Sequence, residues 1–103
     1  MYVIAYDVGT TGLKSCLFSI EKDQPISLVQ GETADYDLYV LENGGVEQDP
    51  KQWWDAMCIT TKKLLQSTGI DKKEIKGISF CAQMQAVILV DETGEPVMNS
   101  MSY

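Results

Sequence analysis

The chain has 103 residues, 45% of them hydrophobic and 22% charged, the composition of one modest soluble globular domain. Its net charge is −7, every basic residue is lysine and histidine is absent. That balance argues against nucleic acid, which needs a basic patch, and the missing histidine removes Ser-His-Asp, Cys-His and most zinc chemistry. Cys16, Cys58 and Cys81 are odd in number, lack Cys-x-x-Cys spacing and sit in apolar segments, so buried reduced thiols in the cytoplasm are expected. No basic stretch precedes the first apolar run, and no apolar run is long enough to span a bilayer.

In chain order, the apolar run Val3-Ile4-Ala5-Tyr6 predicts a strand over residues 2–8. Alternation of Leu13, Ser15, Leu17 and Ser19 with Lys14, Cys16, Phe18 and Ile20 predicts a second over 13–20, and a third is expected near 26–34. Between the first two lies Asp7-Val8-Gly9-Thr10-Thr11-Gly12-Leu13-Lys14, the most informative stretch of the sequence. An acid stands where a strand stops, followed by a tight hairpin in which Gly9 and Gly12 allow the backbone to turn and to approach a ligand. Exposed N–H groups, the hydroxyls of Thr10 and Thr11, and Lys14 could hold phosphate oxygens, with Asp7 placed for Mg²⁺ or its water shell. The same hairpin could also be only a turn. The Asp-x-Asp-Gly-Thr pattern of haloacid-dehalogenase phosphatases is broken by Gly9, and no Gly-x-x-x-x-Gly-Lys-Ser/Thr loop occurs.

Residues 36–47 read as a loop or weak strand with Asn43-Gly44-Gly45 at the tip. Asp49 as N-cap, Pro50 at the first helical position, Gln52 at capping-box spacing and Gly69 past the end predict a helix. Its apolar stripe, Trp53, Met57 and Leu64 beside Trp54, Cys58 and Leu65, is expected to face the sheet, with both tryptophans in the core. A strand follows over 76–81, then the amides Gln83 and Gln85 around Met84, an apolar run over 86–90 and a turn at 91–94. Residues 96–103 show no closing element and suggest a cut chain. The order of elements is that of an α/β layer with a helix on at least one sheet face.

Taken together these features resemble the FGGY family of carbohydrate kinases, in the actin, hexokinase and heat-shock-chaperone ATPase superfamily. Four stretches in the family's order carry the resemblance: Asp7 to Lys14; Gly45-Val46-Glu47-Gln48-Asp49-Pro50 with Trp53-Trp54; Gly77 to Gln85; and Val90 to Pro96. Ala82-Gln83-Met84-Gln85-Ala86 is most similar to the Gly-Gln-Met-His-Gly of xylulose-kinase-like members, with Gln85 where they carry histidine. Gln85 can donate and accept hydrogen bonds but holds no titrating proton at neutral pH.

The resemblance implies an incomplete ribonuclease-H-like, actin-like ATPase domain, residues 1–103 being the N-terminal part of the first of two kinase domains. It implies an ATP- and Mg²⁺-dependent phosphotransferase acting on a ketose such as xylulose. Asp7 would serve catalysis and metal, Gly9, Thr10, Thr11 and Lys14 the ATP phosphates, and Gln83, Met84 and Gln85 the sugar. The family's catalytic aspartate and adenosine site would lie beyond this chain, and its Trp-x-Asp-x-Arg segment would begin about at Tyr103. The fragment alone is therefore expected to be inactive, and its uncovered apolar surface to drive dimer formation. Ribulose, gluconate or glycerol as substrate, a non-catalytic phosphate-binding module and a pure interaction protein are the competing readings.

Overall fold

The computed structural model describes residues 1–102; the placement of Tyr103 at the family's aromatic position lies outside them. Strands β1 (Tyr2–Val8), β2 (Gly12–Ser19) and β3 (Ser27–Asp35) form an antiparallel meander. Two short strands, β4 (Tyr39–Val40) and β5 (Val46–Gln48), precede helix α1 (Pro50–Thr68). A 3₁₀ turn at Lys72–Glu74 leads into β6 (Ile75–Ala82), which pairs parallel to β1 and completes a sheet of order β3-β2-β1-β6. This is the crossover a parallel pair requires.

The period of two in β2 has its cause in one dry face. Leu13, Ser15 and Leu17 are buried beside Ile4 and Tyr6 of β1, while Lys14 is exposed on the reverse. The core is closed from the helix by Ala56, Thr60 and Leu64. Within it the hydroxyls of Ser15 and Thr60 meet at 2.6 Å, and Thr60 donates to the Ala56 carbonyl at 2.8 Å. That arrangement satisfies two polar groups that burial would otherwise penalise.

Both helix ends follow the local chemistry of the sequence. Asp49 accepts from the Lys51 N–H at 2.9 Å, Pro50 begins the helix, and Gly69 ends it in the left-handed region at φ 69°, where glycine is favoured. The capping box is not formed. The Gln52 amide turns to the preceding loop instead, accepting from Asp37 N at 2.8 Å and donating to Asp37 Oδ2 and Tyr39 Oη.

The tryptophans also depart from expectation. Trp54 is 63% exposed, and Trp53 is half-buried with its Nε1 lacking a partner among the described residues. The reason is the lateral position of α1. Small Ala56 and Thr60 let the helix settle on β2 and β3, so Trp54 overhangs the β1 side. Ile78 and Phe80, on the helix side of β6, consequently stay 59% and 54% exposed, although Phe80 stacks on Tyr6 at 5.4 Å. None of the cysteines is fully buried: all are free, Cys16 and Cys58 half-buried and Cys81 exposed on the edge strand.

The segment read as a closing void does contain a strand. β7 (Ser100–Ser102) pairs antiparallel with β5, giving a small sheet of order β4-β5-β7. The apolar run 86–90 is extended and bridges Met101 through Val87 and Pro96 through Val90, without becoming a regular strand. The 91–94 turn forms as expected: Asp91 Oδ1 accepts from Thr93 and Glu95 N–H groups, and Gly94 takes φ 88°.

Candidate phosphate hairpin and adjoining cleft

The β1–β2 connection is a three-residue loop, Gly9-Thr10-Thr11, closed by the Gly9 N–H on the Gly12 carbonyl at 3.0 Å. Neither Gly9 nor Gly12 lies in the left-handed region. Their lack of a side chain matters for space: a Cβ on Gly12 would stand 2.9 Å from the Ala34 carbonyl oxygen, and one on Gly9 3.0 Å from the Gly12 carbonyl oxygen. The close approach the glycines permit is thus to the protein's own backbone.

Donors from three other elements hold the hairpin's carbonyls inward. Tyr36 donates its hydroxyl to the Gly9 carbonyl and also lies 3.1 Å from that of Gly12. Gln48, fully buried, donates to the Thr10 carbonyl at 2.6 Å. The Tyr36 N–H reaches the Thr11 carbonyl at 3.3 Å, and the Gln83 N–H the Val8 carbonyl at 2.9 Å. In a planar trans peptide the C=O and the following N–H point opposite ways. Inward carbonyls at Gly9 and Thr10 therefore turn the N–H groups of Thr10 and Thr11 outward, where neither has an internal acceptor among the described residues. Two outward N–H groups beside two exposed threonine hydroxyls form a concavity of donors, the kind of arrangement suited to an anion.

Charge flanks it. Asp7 and Lys14 are register partners across the β1–β2 ladder, both exposed, with Thr33 next in the row on β3. Neither belongs to an ion pair among the described residues. Asp7, Thr11, Lys14, Thr33 and Asp35 line a shallow cleft of ≈320 Å³ on one side of the hairpin. A second cleft of ≈470 Å³ opens on the other side, lined by Thr10, Leu38, Val46, Gln83, Met84 and Ser102. A larger one of ≈490 Å³, between the start of α1 and the 94–96 turn, lies away from every group named here as chemical. The phenol of Tyr36 is pushed up to about 12, first by burial and then by the negative charge of Asp7.

The structure thus brings Asp7, Gly9, Thr10, Thr11 and Lys14 together. Gln83 and Met84 border the opposite cleft, but the Gln83 amide donates inward, to Gln48 at 2.7 Å and the Gly9 carbonyl at 3.3 Å. Gln85 is exposed beyond Met84 and has φ 63°, a left-handed conformation uncommon for a residue with a side chain. No group of three or more metal-ligating side chains occurs among the described residues. Asp7 alone still fits Mg²⁺, which is commonly held through one or two carboxylates together with water and substrate phosphates. Gln48, Tyr36 and Asp35 were not singled out from the sequence. Gln48 stood within a recognised stretch, yet an amide ahead of an N-cap carries no signal of burial.

Residues 2–103 match the family described as "FGGY family of carbohydrate kinases, N-terminal domain". The chain belongs to the FGGY family. This FGGY chain is 34% identical over 99 residues to a xylulose kinase of Staphylococcus epidermidis, covering 96% of itself and 19% of that protein. It is also 34% identical over 96 residues to a gluconokinase of Bacillus subtilis, covering 93% of itself and 18% of that protein. Glycerol kinases are among its relatives too. The crystal structure of a gluconate kinase from Lactobacillus acidophilus superposes on 97% of the FGGY chain and 19% of its own length, with TM-score 0.82 and 33% identity. The α/β arrangement is therefore that of the N-terminal domain of actin-like FGGY kinases. The chain spans about a fifth of the length of the relatives it matches.

Proposed function

We propose that this chain is the part of an ATP-dependent sugar kinase that holds the transferring phosphates and one side of the sugar, in a kinase that phosphorylates a ketose hydroxyl, with xylulose the favoured substrate. The observation that carries the reading is the hairpin itself, whose carbonyls are tied inward and whose N–H groups and hydroxyls face out between two clefts. Phosphoryl transfer asks mainly for alignment and charge stabilisation, which such a site supplies. In this reading Gly9, Thr10, Thr11 and Lys14 bind the ATP phosphates on the Asp7 side. Thr10 borders the opposite cleft, where Met84 and Gln85 meet the sugar and Gln83 sets their position. Mg²⁺, held through Asp7, would supply neutralisation of the phosphate charge. Three free cysteines suit the reducing cytoplasm as its place of work.

The sugar-side cleft contains no carboxylate among its lining residues. A general base for the sugar hydroxyl must therefore come from elsewhere, and the 103-residue chain alone should transfer no phosphate. That same feature favours a second reading, a phosphate-binding module without catalysis. A coupled ADP-release assay separates the two. The complete kinase should turn over a ketose, and Asp7→Asn in it should lower kcat on the order of a hundredfold while leaving the sugar KM nearly unchanged. Full activity of that variant at saturating Mg²⁺–ATP would overturn the assignment of Asp7, and sugar-dependent ADP release by the isolated chain would overturn the need for an outside base.

A further inference from the structure

Between the two clefts lies a pair of linked amides, one buried and one half-buried, that binding of phosphate and sugar does not by itself require. Gln48 is fully buried, donates to the Thr10 carbonyl at 2.6 Å and accepts from Gln83 Nε2 at 2.7 Å. The remaining Gln83 bonds go to the Gly9 carbonyl through its side chain and to the Val8 carbonyl through its backbone N–H. The residue after Gln83 is Met84, which lines the opposite cleft together with Thr10, and the residue after that is Gln85 with its left-handed backbone.

We propose that Gln48 and Gln83 are positioning residues that couple occupancy of the Met84 cleft to the setting of the phosphate hairpin; this rests on the phosphate-hairpin reading above. The Thr10 carbonyl and the Thr11 N–H belong to one rigid peptide plane, so the bond that Gln48 makes to the carbonyl fixes the direction of an N–H that faces the phosphates. The other end of the same amide is fixed by Gln83. Displacement of the 83–85 segment by a ligand therefore reaches the Thr11 N–H through two short hydrogen bonds, with no movement of the sheet. An uncharged amide suits the task, because it is at once donor and acceptor and does not titrate. By reciprocity, phosphate bound at the hairpin must act on the 83–85 segment as well.

The test uses the ¹⁵N-labelled 103-residue chain titrated with inorganic tripolyphosphate and Mg²⁺. In the unaltered chain the amide signals of Thr10 and Thr11 and those of Gln83, Met84 and Gln85 should shift along one binding isotherm. Gln48→Met should weaken binding at the hairpin, because the Thr11 N–H loses its fixed direction, and at matched hairpin saturation the 83–85 shifts should fall several-fold; Gln83→Met, which also removes the bond to the Gly9 carbonyl, should lower the Met84 and Gln85 shifts at least as far. A merely structural amide would lower the melting temperature and leave the 83–85 response in place. Persistence of that response in a folded Gln48→Met chain overturns the coupling. If Gln48→Met does not fold, the half-buried Gln83→Met decides in its stead. Hairpin shifts with a silent 83–85 segment in the unaltered chain overturn the coupling alone. Silence at Thr10 and Thr11 overturns the phosphate hairpin and the coupling with it.

Discussion

Gly12→Ala tests whether the hairpin is shaped by its own backbone. The new Cβ would stand 2.9 Å from the Ala34 carbonyl oxygen, 2.9 Å from Asp35 Oδ1 and 3.3 Å from Asp35 Cα. The Asp35 carboxylate can swing away into solvent. The Ala34 carbonyl cannot, because it belongs to the β2–β3 ladder, so the strands must part locally. Overpacking of this kind costs about 1–3 kcal/mol. Gly12 lies outside the left-handed region, so alanine also restricts the unfolded chain and returns about 0.4–1 kcal/mol. The net is a loss of roughly 1–2 kcal/mol, which in a domain of this size lowers Tm by roughly 5–15 °C. Gly77→Ala is the control. Its Cβ would meet only Val3 Cγ1, at 3.6 Å, an ordinary contact, and a strand interior gains about 0.5–1 kcal/mol when glycine is replaced. Thermal and urea unfolding followed by circular dichroism read both. A Gly12→Ala chain that melts with the unaltered protein, or a Gly77→Ala chain that falls as far, refutes the spatial account of the hairpin glycine.

Four further outcomes are expected. Because burial makes the native state hold the Tyr36 proton more tightly than the unfolded chain, its contribution to stability is full below pH 10 and is lost as the pH rises through about 12. An ultraviolet phenolate titration should show a late-ionising component that Tyr36→Phe removes. Gln85→Gly should relieve a left-handed backbone that costs about 1–2 kcal/mol, partly offset by glycine's greater chain entropy, so stability rises while sugar-dependent turnover of the complete kinase falls. Gln85→His should change preference among ketoses and leave the ATP KM nearly unchanged; movement of the ATP constant alone would remove Gln85 from the sugar side. The uncovered strip of Ile78, Phe80 and Trp54 should make the 103-residue chain dimerise as concentration rises, and Phe80→Lys should restore the monomer in sedimentation. A clean monomer of the unaltered chain at high concentration would refute that.

The parts of the fold legible in the sequence were those whose cause is local or periodic. β1 and β2 read correctly because one face is dry, which imposes alternation on Leu13, Ser15 and Leu17 whatever the rest of the chain does. The ends of α1 read correctly because Asp49, Pro50 and Gly69 each act on backbone within a turn of themselves. The capping box failed for a non-local reason: the Gln52 side chain had better partners in Asp37 and Tyr39, fifteen and thirteen residues away. The tryptophans failed because the helical period tells which residues share a face but not where the helix lies across the sheet. Ala56 and Thr60 set that position, and small residues carry no hydrophobic signal of comparable strength. β7 is three residues, Ser-Met-Ser, and exists as a strand because β5 and the bridge from Val87 are there to pair with it.

The site divides along the same line. The placement of Asp7, Thr10, Thr11 and Lys14 around one hairpin was legible because its two strands were themselves legible. The groups that give the hairpin its polarity were not, because polarity here is a tertiary property. A Gly-Thr-Thr loop is neutral as to which way its peptide planes face. It is Tyr36, Gln48 and Gln83, from the loop after β3, the end of β5 and the residue following β6, that hold the Gly9 and Thr10 carbonyls inward. Each is an ordinary side chain in sequence, separated from the loop by 27, 38 and 74 residues. The alternative that a glycine-threonine hairpin is only a turn therefore could not be decided from the loop. The donors behind it support the proposed phosphate site, since a loop meant only to reverse the chain has no need to have its carbonyls taken and its N–H groups left free. In the proposed reading, the difference between a turn and an anion site lies in residues that would never touch the anion.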